Sequence, residues 1–204
     1  MTPVHPRFGA IGVRPSPRAV AAFAVASLGL LLMGQAVYIH AKAIVAQVLL
    51  RQAFAASVAT GAPVKPWSWA DVWPVARIAV PRLGASAIVL SGTSGQALAF
   101  GPGHLEGSAM RGQPGTTVFA AHRDTHFAFL RNVKIGDDII ATGPDGAPHT
   151  YRVTHTEVVA WDRAMIDFAA PGRHLVLATC WPFDATFHGP LRYLVHASVV
   201  PDEE

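Results

Sequence analysis

The chain has 204 residues, 51% of them hydrophobic and 14% charged, with a formal net charge of +3 at pH 7. That length suits one ordinary domain with an extension, and the hydrophobicity excludes a disordered, collagen-like or coiled-coil chain. The charge is unevenly placed. Residues 1–70 hold six bases (Arg7, Arg14, Arg18, Lys42, Arg51, Lys65) and no acid, while the remainder holds ten bases against thirteen acids. The folded part is therefore mildly acidic, which argues against a nucleic-acid partner. Cys180 is the one cysteine, so neither an internal disulfide nor a Cys-based zinc site can form.

Residues 19–39 read AVAAFAVASLGLLLMGQAVYI, 21 residues without a charge. At a rise of about 1.5 Å per residue, a helix of this length spans a hydrocarbon core of about 30 Å. Arg7, Arg14 and Arg18 precede it, so the rule that basic flanks stay inside predicts a cytoplasmic N-terminus and an outward-facing remainder. Ala41-Lys42-Ala43 resembles a cleavage site, but the apolar run exceeds the usual signal-peptide core, which favours an uncleaved anchor. The Ala-rich stretch 40–60 predicts continuing helix, and Pro63 and Pro66 a linker. The expected organisation is a cytoplasmic basic tail at 1–18, a transmembrane anchor at 19–39, a juxtamembrane helix and Pro-rich linker at 40–72, and a folded domain at 73–204.

After Trp67 short Val, Ile, Thr and Phe runs alternate with Gly, Pro and Asp. Candidate strands cover 75–80, 85–90, 116–122, 138–142, 149–160, 174–180 and 191–200, with a hairpin turn at Gly143-Pro144-Asp145-Gly146. Two short helices are expected at 94–100 and 127–132. Many short strands with little helix point to a mainly β barrel or sandwich.

Cys180 closes the run His174-Leu-Val-Leu-Ala-Thr-Cys180 and is followed by Trp181-Pro182, which places the thiol at a strand tip. Free cysteines are usually buried and inert, so this one gains interest only from its company. His122 ends a second apolar run. If the two strands are parallel neighbours, imidazole and thiol share one end of the sheet, where the imidazole can serve as acid and base for a sulfur nucleophile. Arg192 opens the final strand, and an antiparallel return brings its guanidinium back toward the thiol to stabilise an oxyanion.

These residues resemble the sortases, membrane-anchored cysteine transpeptidases. The family's Thr-Leu-x-Thr-Cys motif is matched by Val176-Leu177-Ala178-Thr179-Cys180 at Leu, Thr and Cys; Ala120-Ala121-His122-Arg123 matches the strand-ending histidine, and Arg192 follows in the family's order. Val176 replaces the motif's first Thr, and Ala121 stands where many sortases carry Gly. The segments His122-Arg-Asp-Thr-His126, Cys180-Trp-Pro-Phe-Asp-Ala185 and Gly189-Pro-Leu-Arg192 are most similar to the sortases of Gram-negative bacteria.

The resemblance implies a closed sortase-type β-barrel of about eight strands with a few short helices behind an N-terminal transmembrane helix. It implies that Cys180 attacks a carbonyl in a C-terminal sorting signal to form a thioacyl-enzyme. His122 would handle the leaving and incoming amines, Arg192 would support the oxyanion, and Thr179 would contact substrate. The implied partners are a protein with an LPXTG-like signal and an amine acceptor, with no cofactor, a specificity loop at 161–173, and a location on the outer face of the inner membrane.

Three alternatives stand beside it. His122, Asp124 and His126 alternate and would share a face to ligate a metal if the strand continued, with His104, Glu106 and His188 nearby, as in a metal-dependent hydrolase. A tethered module could bind peptides along a β-edge without cutting them. Other thiol enzymes fit less well: the Ser-x-Gly-Cys-x-Arg pattern of L,D-transpeptidases is missing, and papain-like enzymes carry Cys before His.

Overall fold

The computed structural model describes residues 16–187 and 189–201, so the expected basic tail falls almost wholly outside the described residues, as does His188. The chain divides into two units, Met1–Ala43 and Ile44–Glu204. A single helix, α1 (Pro17–Thr60), runs through the described part of the first unit and into the second. It is long and apolar enough to cross a membrane, and its apolar window is unburied within the molecule. Phe23, Val25 and Leu31 are all exposed there. A helix that is apolar on every side matches lipid rather than a protein groove.

Within the second unit the helix changes character. Leu50 and Phe54 are buried with Val72, Ile88, Leu90 and Ala97, and the Gln47 side-chain amide donates to the Phe100 carbonyl at 2.7 Å. The helix stops at Thr60. Gly61 follows with φ of +69°, ahead of the two prolines that cannot extend it.

The rest is a closed eight-stranded barrel. Its strands are β1 (Pro74–Val80), β2 (Ala85–Ser91), β3 (Gly103–His104), β4 (Gly115–Ala120), β5 (Asp138–Thr142), β6 (Pro148–Ala160), β7 (Arg173–Cys180) and β8 (Leu191–Val199). Around the wall the order is β1-β2-β3-β4-β7-β8-β6-β5, closing back on β1. Only the β2–β3 and β4–β7 pairs are parallel. Helix α2 (Gly95–Phe100) sits between β2 and β3 and is capped by Ser94, whose Oγ accepts from Ala97 N at 3.2 Å.

Inward-pointing Ile78, Val89, Phe119, Ile139, Leu177 and Val195 fill the barrel. Strand β7 is buried on both faces: Leu175 and Leu177 point in, while Val176 joins Val118 and Leu194 in a second cluster outside the wall, against Ala164 and Ile166. This outer cluster lies under the β6–β7 connection, residues 161–172. Double burial explains why β7 reads as a continuous apolar run.

Two local expectations need correction, and one strand was not expected. The expected strand 116–122 ends at Ala120, and the chain turns after it, with Phe127 N donating to the His122 carbonyl. The expected helix at 127–132 is a 3-10 turn, Ala128–Asn132. Strand β3 has two residues, too few for a period-2 pattern to register. A Cβ on Gly103 would collide with the Gly92 carbonyl, so this short pairing depends on glycine.

Candidate active site

Strands β4 and β7 run parallel and side by side, in register from Gly115 opposite Arg173 to Ala120 opposite Ala178. Beyond the last pair Ala121 N donates to the Ala178 carbonyl at 3.1 Å. The Thr179 hydroxyl, buried, donates to the Ala121 carbonyl at 2.7 Å. Two residues past the Ala120–Ala178 pair come His122 on one side and Cys180 on the other. On the other flank of β7, Cys180 is the direct cross-strand partner of Arg192, and Trp181 N donates to the Leu191 carbonyl at 3.0 Å. The adjoining tips of β4, β7 and β8 thus carry His122, Cys180 and Arg192 at one end of the barrel.

Among the described residues, no hydrogen bond ties up the imidazole of His122 or the thiol of Cys180. His122 is exposed and Cys180 half-buried, so both are accessible. Arg192 is held from one side only: its Nη1 donates to the carbonyls of Gly189 and Leu191 at 3.0 and 2.9 Å. The remaining guanidinium donors are uncommitted among the described residues, which suits a group that must meet a developing negative charge. Thr179 differs. Its hydroxyl proton joins β7 to the residue before His122.

The loop after Cys180 is fastened by Arg123, whose role the sequence did not show, and by an aromatic cluster around Trp181 and Phe183. Arg123, next to His122, is buried, and its Nη2 donates to the carbonyls of Ala185 and Phe187 at 2.6 and 2.7 Å. Among the described residues its Nη1 has no partner. Trp181 stacks on Tyr193 with ring centroids 5.6 Å apart, Phe183 packs edge-on against both, and Arg131 lies 5.3 Å above the Phe183 ring. An arginine beside a candidate histidine was the available signal, but its targets are backbone carbonyls more than sixty residues away.

His126 is half-buried. Burial pushes its imidazole below the usual histidine range; a hydrogen bond with the Ala99 backbone opposes this, and the neighbouring His122 adds to it. The alternative metal set His122, Asp124 and His126 loses its premise, because the backbone turns after Ala120 and no strand carries the three on one face. His104 is buried instead in a structural role, its Nε2 meeting the Ala109 carbonyl and the Ser108 hydroxyl, both at 3.1 Å.

Comparison with known proteins fits this geometry. A family model described as the sortase domain matches residues 78–200. Sortase D of Bacillus subtilis (strain 168) is 29% identical over 122 residues, which cover 59% of this chain and 61% of the relative's length. Among solved structures, sortase A from Corynebacterium diphtheriae superposes with a TM-score of 0.59 at 29% identity, covering 66% of this chain and 64% of that one. A pilus-related sortase C of Group B Streptococcus gives a TM-score of 0.55 at 27% identity over 63% of this chain and 68% of that one. With the barrel topology and the family model both covering the domain that carries these three strand tips, the chain belongs to the sortase family.

Proposed function

We propose that this protein is a membrane-anchored cysteine transpeptidase that cleaves a C-terminal sorting signal and joins the upstream part to an amine. The observation that carries the reading is the register of β4, β7 and β8, with Cys180 opposite Arg192 and level with the continuation toward His122.

In this reading the Cys180 thiol gives its proton to His122, its sulfur attacks the scissile carbonyl carbon, and Arg192 donates to the resulting oxyanion. The carbon–nitrogen bond then breaks. His122 supplies the proton that the leaving amine needs, and a thioester to Cys180 remains. An incoming amine loses its proton to His122, attacks the thioester and releases the joined product with the thiol restored. Electrons and protons balance without a cofactor. Thr179 supports the site by holding the histidine-bearing segment against β7.

The apolar half of α1 supplies the anchor, and Arg7, Arg14 and Arg18 before it favour a cytoplasmic N-terminus. In this reading the barrel faces the periplasm of a Gram-negative cell, a placement that rests on the resemblance of the segments around His122 and Cys180 to that class of sortases. Tethering enzyme and substrate in one bilayer raises their effective concentration and offsets weak peptide affinity.

The test is turnover of an LPXTG-like peptide by the full chain in detergent, with a small primary amine present and products identified by mass. The reading expects the upstream fragment joined to the amine, and no product with Cys180→Ala. Cleavage that persists in Cys180→Ala, or peptide bound tightly and released intact by wild type, contradicts it; the second result would favour a binding module.

A further inference from the structure

Away from the strand tips, the outer face of β6 and β8 carries a second cluster of polar side chains. His155 and His196 are cross-strand partners, and their rings stack at 4.2 Å with planes 9° apart. Glu157, two residues along β6, lies on the same face and accepts from His196 Nε2 at 2.9 Å. One ligand atom from each of the three falls within 4.8 Å of the others. The three border a groove of about 410 Å3 beside the β6–β7 connection, which Met165, Asp167 and His174 also line.

We propose that His155, Glu157 and His196 form a binding site for a divalent transition cation of the zinc type. Two imidazoles and one carboxylate, with a fourth position open to the groove, make a donor set that suits zinc; calcium and magnesium prefer all-oxygen surroundings. A tetrahedral zinc site needs ligand atoms about 3.4 Å apart and the metal in the plane of each ring, so binding has to swing the two stacked imidazoles out of parallel as the cluster closes.

The surroundings already orient one ligand. The Thr154 hydroxyl sits 3.2 Å from His155 Nδ1 and donates its one proton to the His196 carbonyl. It must therefore accept from Nδ1–H, which leaves the Nε2 lone pair of His155 available to a metal. His196 donates from Nε2 to the Glu157 carboxylate at 2.9 Å. When metal takes its Nε2, the proton there moves to Nδ1 and the carboxylate turns from hydrogen-bond acceptor to ligand. Thr154 also marks the shift in register between Val153 and His155. That irregularity brings His155 level with His196.

Nearby groups that could compete are engaged. His174 meets the Ser198 hydroxyl through Nδ1 and the Pro171 carbonyl through Nε2, and an Asp167 oxygen accepts from Ala169 N.

The site is tested on the full chain in detergent, carrying Cys180→Ala so that zinc cannot bind the thiol. After chelator treatment the protein is titrated with zinc chloride against a chromogenic competitor. One zinc per chain is expected with micromolar or tighter affinity, weakened at least tenfold by His155→Ala and by Glu157→Gln, and unchanged by His122→Ala. Saturating zinc should also raise the melting temperature of the parent by several degrees, and that of His155→Ala by much less. His155 is exposed, so its replacement leaves the barrel intact, as melting in the presence of chelator will show. Zinc binding that survives both β6 substitutions, or is lost with His122→Ala, or is absent from the parent, overturns the proposal.

Discussion

The two ends of the barrel differ in how they use their charged groups. At the end where β4 and β7 begin, the Arg111 side chain is only 7% exposed, donates to both oxygens of Asp145 at 2.7 Å and reaches the Ala147 carbonyl with Nη1. Burial pushes the Asp145 carboxyl upward, but Arg111, the Ala147 N–H and nearby His149 together hold it below its ordinary value. At the opposite end, among the described residues, the imidazole of His122 and the thiol of Cys180 carry no such bonds, and Arg192 commits only Nη1. The first end spends these groups on the fold; at the second Arg123 and Thr179 do the same, while His122, Cys180 and most of the Arg192 guanidinium are left open among the described residues.

Substitutions at the two ends should therefore separate activity from stability. The largest effect is expected at the thiol: Cys180→Ala should abolish transfer, and His122→Ala should lower kcat/KM by about 10²–10⁴, with little change in melting temperature for either. Arg192→Ala should cost about 10²–10³ in kcat, and Arg192→Lys less, if the guanidinium meets the oxyanion. Equal losses in KM and none in kcat would instead assign it to ground-state binding.

Arg123→Ala should affect both properties, because it removes a buried guanidinium that holds two carbonyls of the loop after Cys180. A stability loss of about 2 kcal/mol together with reduced turnover is expected, measured by denaturant titration and single-turnover kinetics. At the far end, Asp145→Asn should cost about 1 kcal/mol and leave kcat unchanged. Reduced kcat there would break the division between the two ends.

Acid sensitivity sharpens the comparison further. His126 and His196 are both held below the ordinary histidine value. The unfolded chain therefore takes up protons first, and stability should fall as pH drops through about 6.5. Asp137, whose carboxyl is lowered chiefly by its hydrogen bonds with Arg82, contributes stability above about pH 4 that disappears on further acidification. Melting curves from pH 7.5 to 3 should show two successive declines. Replacing His126 by Gln should flatten the first.

Much of this architecture was legible in the sequence because its carriers are local. The apolar run of β7 ends abruptly at Cys180-Trp-Pro, and the mix of short strands and turns marks a barrel or sandwich without further information. What was not legible depends on partners far along the chain. Arg123 reads as an ordinary charged residue until Ala185 and Phe187 fold over it, and β3 exists only because Gly103 can approach the backbone of Gly92. The alternation of His155 and Glu157 is visible on β6, but His196 joins them only through an irregular register that no periodicity reveals. Extending the β4 pattern through His126 failed for a related reason: hydrophobic alternation does not say where a strand stops.

The most direct measurement is the mass of the intact chain after brief exposure to an LPXTG-like peptide without an acceptor amine. An increase equal to the upstream fragment less water, located on Cys180 by fragmentation and removed by hydroxylamine, is the predicted result. A correctly folded wild-type chain that cleaves the peptide without ever carrying that mass, or carries it on another residue, would contradict nucleophilic catalysis at the junction of β4, β7 and β8.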